Sequence, residues 1–295
     1  MTHSNFGLLY IVGTPIGNLE DISVRAIGIL QRVHLIAAED TRHTGKLLHH
    51  FQIATPQISY HQHNIHTRTP ELINRLQQGQ DLALVSDAGT PGISDPGMEL
   101  VQACVQAGIT VVPIPGANAA IAALIASGLD CDRFCFEGFL PLKGQARQQR
   151  LAQMAEETRT IIFYEAPHRL RQTLTDLTHY LDSQRQIVLA RELTKRYEEI
   201  WRGSVAAAIA LYQTQTPKGE FTLVLAGHSP LAEQPSAIQL QQALQTLIQQ
   251  GYSLSQASRE VAAAQAVSRR QVYQLALELK ALESSPPEAH DLSSY

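Results

Sequence analysis

Val85-Ser86-Asp87-Ala88-Gly89-Thr90-Pro91-Gly92-Ile93-Ser94-Asp95-Pro96-Gly97 is the stretch on which the fold turns. The residues that lead into it, Asp81-Leu82-Ala83-Leu84-Val85, form a short apolar run without helical spacing, the pattern of a buried strand. After Met98, Leu100, Val101, Cys104 and Val105 fall on one helix face. The stretch is therefore a strand-to-helix loop at the carboxyl end of a strand, the edge at which open α/β sheets take their ligands. Three glycines and two prolines stiffen it and let a ligand approach the main chain, with Asp87 and Asp95 at its rim. A structural turn needs two to four residues, so a loop of this length reads as a binding loop.

Upstream, Leu8 to Val12 is a second buried-strand candidate, followed by Gly13-Thr14-Pro15-Ile16-Gly17-Asn18-Leu19. That loop lacks both the Gly-Lys-Ser/Thr ending of a Walker loop and the G-x-G-x-x-G spacing of a dinucleotide site. A helix follows, capped by Asp21 or Ser23 and running to about Gln31. Leu35 to Ala38 is a short strand that ends in Glu39-Asp40-Thr41-Arg42. Asp40 or Thr41 suits a helix cap, which leaves Glu39 and Arg42 as site candidates. Residues 43 to 68 hold half of the 12 histidines. None is paired with a carboxylate at zincin spacing, so a protonatable polar surface or a phosphate-contacting face suits them better than a metal site. A helix is expected from Pro70 to Gln78.

Downstream, Thr110 to Pro113 is a strand, and Ile114-Pro115-Gly116-Ala117-Asn118-Ala119-Ala120 turns it into an Ala-rich helix. Strand and helix alternate to about residue 127, the pattern of a parallel sheet covered on both faces. Beyond Asp130 the pattern changes. Strands are expected at 134–138, 159–164, 186–190, 198–203 and 220–226, with helices at about 146–156, from 165–169 onward and from Ser204 to Tyr212. This reads as a second α/β domain with a mixed sheet. It is locally basic, through Lys143, Arg147, Arg150, His168, Arg169, Arg171, Arg191, Lys195, Arg196 and Arg202. Ser229 to Ser236 reads as a linker. Three helices follow, at 238–249, 254–263 and 269–282. The last two resemble a helix-turn-helix, and Arg269 and Arg270 at the start of the third suit a phosphate backbone. The expected organisation is thus an α/β domain at 1–128, a second at 129–228, a helical module at 237–283 and a disordered tail at 284–295.

At 295 residues and 44% hydrophobic content the chain can bury more than one core. A net charge of -4 carries no global nucleic-acid signature, although a local patch can steer RNA. Three cysteines without zinc spacing suit a reduced cytosol. No apolar run is long enough to span a membrane, and Met1 to Gly7 has no signal-peptide pattern. A cytoplasmic protein is expected.

Taken in order, Val12 to Leu19, Ala38 to Arg42, Ser86 to Gly97, Pro115 to Ala119, Phe163 to Arg169 and Arg191-Glu192-Leu193-Thr194-Lys195 form a set of motifs. The chain that carries them closely resembles the tetrapyrrole methylase superfamily, in the branch that methylates ribosomal RNA of the small subunit. The resemblance covers residues 8 to 228, and the three-helix module fits it too. It implies a two-domain fold with S-adenosylmethionine in the cleft between the domains. It also implies methyl transfer to the 2'-hydroxyl of a cytidine in the decoding region of 16S rRNA, within the assembled small subunit, and a homodimer. By position, the implied cofactor contacts are Pro15, Ser86, Asp87, Ala88, Ile93, Asn118, Ala119, Tyr164, Glu165 and Leu193.

A sulfonium is a good leaving group, so the main task of such a site is alignment, helped by a base on a poor nucleophile. Glu39, Asp40, Glu192 and His168 stand at loop ends as alternatives for that base, with nothing in the sequence to choose among them. Arg42, Arg169 and Lys195 are candidates for rRNA phosphate. Two other functions compete: a superfamily methylase acting on a small tetrapyrrole, which needs neither the basic second domain nor the terminal helices, and a non-enzymatic RNA-binding module, which does not need the loop at 85–97.

Overall fold

The computed structural model describes residues 6–229, 237–265 and 267–283. The expected linker beyond Ser229, the tail at 284–295 and the first five residues lie outside these. The chain divides into two compact units, Met1–His228 and Ser229–Tyr295.

In the first unit, strands β1 (Leu9–Val12), β2 (Leu35–Ala38), β3 (Gln57–Ser59), β4 (Leu82–Val85) and β5 (Val111–Ile114) form one sheet in the order β3-β2-β4-β1-β5. All of its pairings are parallel. Helices α1 (Val24–Arg32), α2 (Thr41–His50), α3 (Ile65–Gln77), α4 (Met98–Gln106) and α5 (Ala119–Ser127) connect the strands or follow them. Alternate strand residues face opposite sides. Tyr10, Val12, Ile36, Ala38, Ala83 and Val85 pack with Ala26, Ile29 and Leu30 of α1 and with Leu47 and Leu48 of α2. Leu9, Leu35, Ala37, Leu82 and Leu84 pack with Leu72 and Leu76 of α3 and with Leu100 and Cys104 of α4. Burial on both faces is why these strands read as unbroken apolar runs.

Two elements depart from expectation. Strand β3 gave no readable signal: it is three residues long, sits at the sheet edge and is only partly buried. Helix α3 starts at Ile65, not Pro70, so the proline lies inside the helix. Asn64 precedes it but does not cap it; its side chain instead accepts from the His61 N–H at 2.9 Å and donates to the Ser59 carbonyl at 3.0 Å. A proline that marks a first turn in most helices here costs one interior hydrogen bond.

The second sheet holds β6 (Phe134–Phe139), β7 (Thr160–Glu165), β8 (Gln186–Arg191), β9 (Glu199–Ser204) and β10 (Phe221–Leu225), ordered β6-β7-β10-β8-β9. The β6–β7 pair is parallel and the other pairs are antiparallel, so the sheet is mixed. Helices α6 (Gly144–Glu156), α7 (Pro167–Thr178) and α8 (Val205–Thr214) cover one face through Leu151, Met154, Leu170, Leu174 and Val205. The other face, Ile162, Val188, Ala190 and Val224, packs on Ala120, Ala123 and Leu124 of α5. An Ala-rich helix allows this close approach. The helix that leaves β5 thus carries the second sheet, and the carboxyl edge of the first sheet is brought up to it.

In the second unit, α9 (Ala237–Gln249), α10 (Leu254–Ala264) and α11 (Arg269–Glu283) share a core of Leu240, Leu244, Ala257, Val261, Val272 and Ala276. Ser253 and Gln256 form a capping box at the start of α10.

Candidate functional site

The loops that leave β1, β2, β4 and β5 are tied into one surface. Thr14 and Gly89 exchange backbone hydrogen bonds at 2.8 and 3.1 Å. The Asp87 N–H donates to Glu39 Oε2 at 3.3 Å, and the Asp40 N–H donates to Asp87 Oδ1 at 3.0 Å. The Thr90 hydroxyl donates to the Ala117 carbonyl at 3.2 Å, and Asn118 caps α5 by accepting from the Ile121 N–H. Gly13 and Gly116 meet backbone to backbone: a Cβ added to Gly116 would lie 2.8 Å from Gly13 atoms, so only glycine permits this approach.

Between these loops and the second sheet lies a cleft of about 300 Å3. One wall is Ala88, Gly89, Thr90, Ile93, Ser94 and Asp95, joined by Ile16, Asn118 and Ala119; the other is Phe139, Tyr164 to Pro167, Ala190, Leu193 and Glu220 to Thr222. The Phe139 and Tyr164 rings stand 5.5 Å apart. Backbone strain gathers here: Ser94, Glu192 and Thr194 have φ of 62°, 50° and 65°. Left-handed non-glycine residues persist where the surroundings hold them, often at functional sites.

Three carboxylates line the cleft, those of Asp95, Glu165 and Glu220. Burial, with Glu39 and Asp87 nearby, pushes the Asp95 carboxyl up to about 6, against a Ser86 hydrogen bond that favours the charged form. Burial also raises Glu39, although the Asp87 N–H works against it. Burial raises the Tyr164 hydroxyl as well. Glu165 is buried and fully used: it receives the Ala166 N–H at 2.9 Å, the Thr173 hydroxyl and the Arg169 guanidinium at 3.3 Å.

Of the cofactor contacts expected from sequence, Ala88, Ile93, Asn118, Ala119, Tyr164, Glu165 and Leu193 line the cleft, whereas Pro15, Ser86 and Asp87 do not. Ser86 is buried behind the wall, and Asp87 ties the β2 and β4 loops together. The four expected bases also lie outside the lining. Asp40 caps α2 and pairs with Arg42 at 2.7 Å, which holds its carboxyl well below the usual range. Glu192 accepts the Glu220 N–H at 2.9 Å and pairs with Lys195 at 3.2 Å; the backbone bond and the pair lower its carboxyl. His168 is exposed in the first turn of α7.

The basic side chains are largely engaged. Arg169 holds Glu165 and the Leu140 carbonyl, Lys195 bridges Glu192 and Glu220, and Arg42 is exposed beside Asp40. Arg147 is buried against Asp176 at 2.7 Å, and Arg202 donates to the Ser127 carbonyl at 3.0 Å. Arg269 and Arg270 are exposed at the start of α11. Sequence reasoning did not assign Ser94 or Phe139 to the site. Ser94 stood inside the loop at 85–97, but nothing local marks Phe139, which enters from another sheet.

S-adenosylmethionine has a flat aromatic base, a cationic sulfonium and a zwitterionic tail. The cleft suits it: apolar and aromatic surface from Ile93, Phe139, Tyr164, Ala190 and Leu193, beside the carboxylates of Asp95, Glu165 and Glu220 and polar groups at Thr90 and Asn118. Among the described residues, no group of three or more His, Cys, Asp or Glu side chains is placed to hold a metal ion.

Comparison with known proteins agrees with this architecture. Residues 8–209 match the family model described as Tetrapyrrole (Corrin/Porphyrin) Methylases, and residues 234–280 match the RsmI C-terminal HTH domain. The Ribosomal RNA small subunit methyltransferase I of Synechocystis sp. is 61% identical over 93% of this chain and 99% of its own. The protein of that name from Pasteurella multocida is 50% identical over 92% and 97%. Among solved structures, a diphthine synthase superposes with a TM-score of 0.59 at 16% identity, over 75% of this chain and 92% of its own. The uroporphyrin-III-C-methyltransferase from Thermus thermophilus superposes with a TM-score of 0.53 at 21% identity, over 75% and 94%. These two share the fold. With a matching loop scaffold, a matching terminal module and relatives aligned almost end to end, the chain belongs to the tetrapyrrole methylase family, in its ribosomal RNA small subunit methyltransferase I branch.

Proposed function

We propose that the protein transfers the methyl group of S-adenosylmethionine to 16S ribosomal RNA, at the 2'-hydroxyl of a cytidine in the decoding region. The observation that carries this reading is the identity of 61% over 93% of the chain with a relative named for small-subunit rRNA methylation. The terminal module adds support, because the solved tetrapyrrole-type structures cover only about three quarters of this chain. Residues of the cleft would hold the cofactor: Ile93, Phe139, Tyr164 and Leu193 against its base, Asp95 near its positive charge. When bound, it supplies an electrophilic methyl group, and the cleft aligns the acceptor oxygen with it and excludes water. Proteins read RNA sequence best on splayed single strands, and net charge -4 does not favour capture of naked RNA. The assembled small subunit in the cytoplasm is thus the substrate, and the protein works as a homodimer, which light scattering would reveal by a doubled mass.

The test uses small subunits from cells that lack the enzyme. After incubation with protein and cofactor, the extracted rRNA is hydrolysed in alkali. A 2'-O-methyl group removes the hydroxyl that attacks the adjacent phosphodiester, so the ladder should show one gap at a decoding-region cytidine. Methyl incorporation with an unbroken ladder would place the methyl on a base. Methylation of uroporphyrinogen in place of rRNA would favour the small-tetrapyrrole reading.

A further inference from the structure

An rRNA substrate has to be held as well as methylated, and several cations that the sequence offers for this are taken up inside the protein. The side chains of Lys195 and Arg169 are only 27% and 18% exposed and lie against carboxylates, whereas that of Arg42 is 88% exposed. Arg42 opens a stretch without acids. From Thr41 to Pro70 there is no Asp or Glu, yet this stretch holds Arg42, Lys46, Arg68 and half of the 12 histidines. Arg68 is bound by Glu71 at 2.7 Å. Helix α2 is different. Its buried side is Thr44, Leu47 and Leu48. At about 3.6 residues per turn, His49, Arg42, Lys46, His50 and His43 follow one another around an arc of about 120° on the other side. All five are exposed, and the helix itself has no acid to pair with Lys46.

We propose that this face of α2 is a docking surface for the rRNA strand. Arg42 and Lys46 take neighbouring phosphates beside the acceptor nucleotide, and the imidazoles of His43, His49 and His50 add N–H donors and planes for unstacked bases. The inference rests on the reading of rRNA as the substrate. Position supports it. The Asp40 N–H at the cap of α2 donates to Asp87 Oδ1 at 3.0 Å, and Asp87 adjoins Ala88 in the cleft wall. The face therefore starts beside the loop that lines the cleft, and it runs about 12 Å along the helix from Arg42 to His50. The geometry of Arg42 supports it too. Its Nε and Nη2 bond Asp40 at 3.1 and 2.7 Å, which orients the guanidinium, while Nη1 has no bond among the described residues. Asp40 and Asp87 are the carboxylates that act on Arg42. An ion pair this exposed is weak, and a phosphate accepts from the open edge of the fork without displacing Asp40. Helix stability does not account for the pattern. The helix dipole favours His49 and His50 in the last turn, but it opposes Arg42 and His43 in the first. Nor do the histidines form a metal site: among the described residues, no three ligating side chains are grouped for one.

The experiment uses the full-length protein with Lys46→Gln, Lys46→Glu and the combined His43→Gln, His49→Gln and His50→Gln. These residues are exposed and lie outside the cleft, so all three variants should bind S-adenosylmethionine within about twofold of wild type by calorimetry. On small subunits that lack the methyl group, Lys46→Glu should raise KM about tenfold and leave kcat nearly unchanged, the mark of lost uniform binding. A single-stranded RNA oligonucleotide spanning the decoding-region cytidine is then titrated from about 50 to 200 mM salt. A local cationic face captures RNA at low salt despite the net charge of -4. Lys46→Gln should flatten the salt slope by about 0.7, one phosphate contact on a single strand. The histidine variant should weaken oligonucleotide binding about threefold, as lost hydrogen bonds do. Wild-type affinity and salt slope in Lys46→Glu would overturn the proposal. A raised KM on the subunit with oligonucleotide binding unchanged would overturn it as well, and would assign the face to a ribosomal protein. So would a cofactor Kd weakened as much as RNA binding, which would trace the effect to a damaged fold. If the oligonucleotide binds through this face but the subunit gains no methyl group, the surface stands and the rRNA-methylation reading fails.

Discussion

Asp95 is ionised at neutral pH in surroundings that oppose the charge. Burial and two nearby acids raise its carboxyl from an ordinary 3.8 to about 6. A raised folded-state pKa means that the folded protein binds the proton more tightly than the unfolded chain does. Its contribution to stability is therefore full below about pH 3.8 and is lost as pH rises through about 6. Replacing it with asparagine removes that loss. Asp95→Asn should raise thermal stability at pH 7.5 by ~1 kcal/mol after allowance for solvent screening, with the gain vanishing near pH 4. Differential scanning calorimetry at the two pH values checks this. An equal gain at both would mean that charge is not the cause. A group held against its own stability in a cleft wall is expected of functional residues.

At the scale of elements, the site is a set of loops fastened to one another. The Gly13–Gly116 contact joins the β1 and β5 loops, and the Thr14–Gly89 pair joins the β1 and β4 loops. Gly116→Ala would push a methyl group to within 2.8 Å of the Gly13 backbone, which has no flexible end to give way. It should destabilise the protein by ~1–3 kcal/mol and weaken cofactor binding, because separation of the two loops shifts Asn118 and Ala119 in the cleft wall. Urea denaturation and calorimetry measure the two effects. Wild-type values for both would show that the loops move apart freely.

At the scale of the whole molecule, the two units have separate cores, and the cleft lies entirely in the first. A chain ending at His228 should therefore keep its affinity for S-adenosylmethionine. It should lose affinity for the small subunit if the terminal helices engage RNA through Arg269 and Arg270. In the full chain, replacing those two arginines should flatten the salt dependence of binding, since each phosphate contact on a single strand adds about 0.7 to the slope. Full RNA affinity in the shortened chain would assign the module another role.

The strands at 9–12, 82–85 and 160–165, the cap at Ser204 and the loop at 86–97 were legible in the sequence, and the caps at Ser23 and Asp40 were each legible as one of two neighbouring alternatives, because each depends on neighbours a few residues away. Apolar runs, capping side chains and glycine-rich turns are local properties, and a chain that alternates them builds a parallel sheet with its loops at one edge. The motifs of the family were legible for the same reason. Helix α3 was misjudged because a proline's preference for a first turn is a tendency that packing can override, here through Leu72 and Leu76. What only the tertiary structure decided concerns pairs far apart in the chain. Arg147 reads as a surface cation until Asp176 is seen beside it, and Lys195 as an RNA contact until Glu192 and Glu220 are found around it. Asp95 was visible as a rim residue, but the upward shift of its carboxyl was not, because it comes from burial and from Glu39, which another strand delivers. Charge interactions act through space, and a sequence orders residues only along the chain.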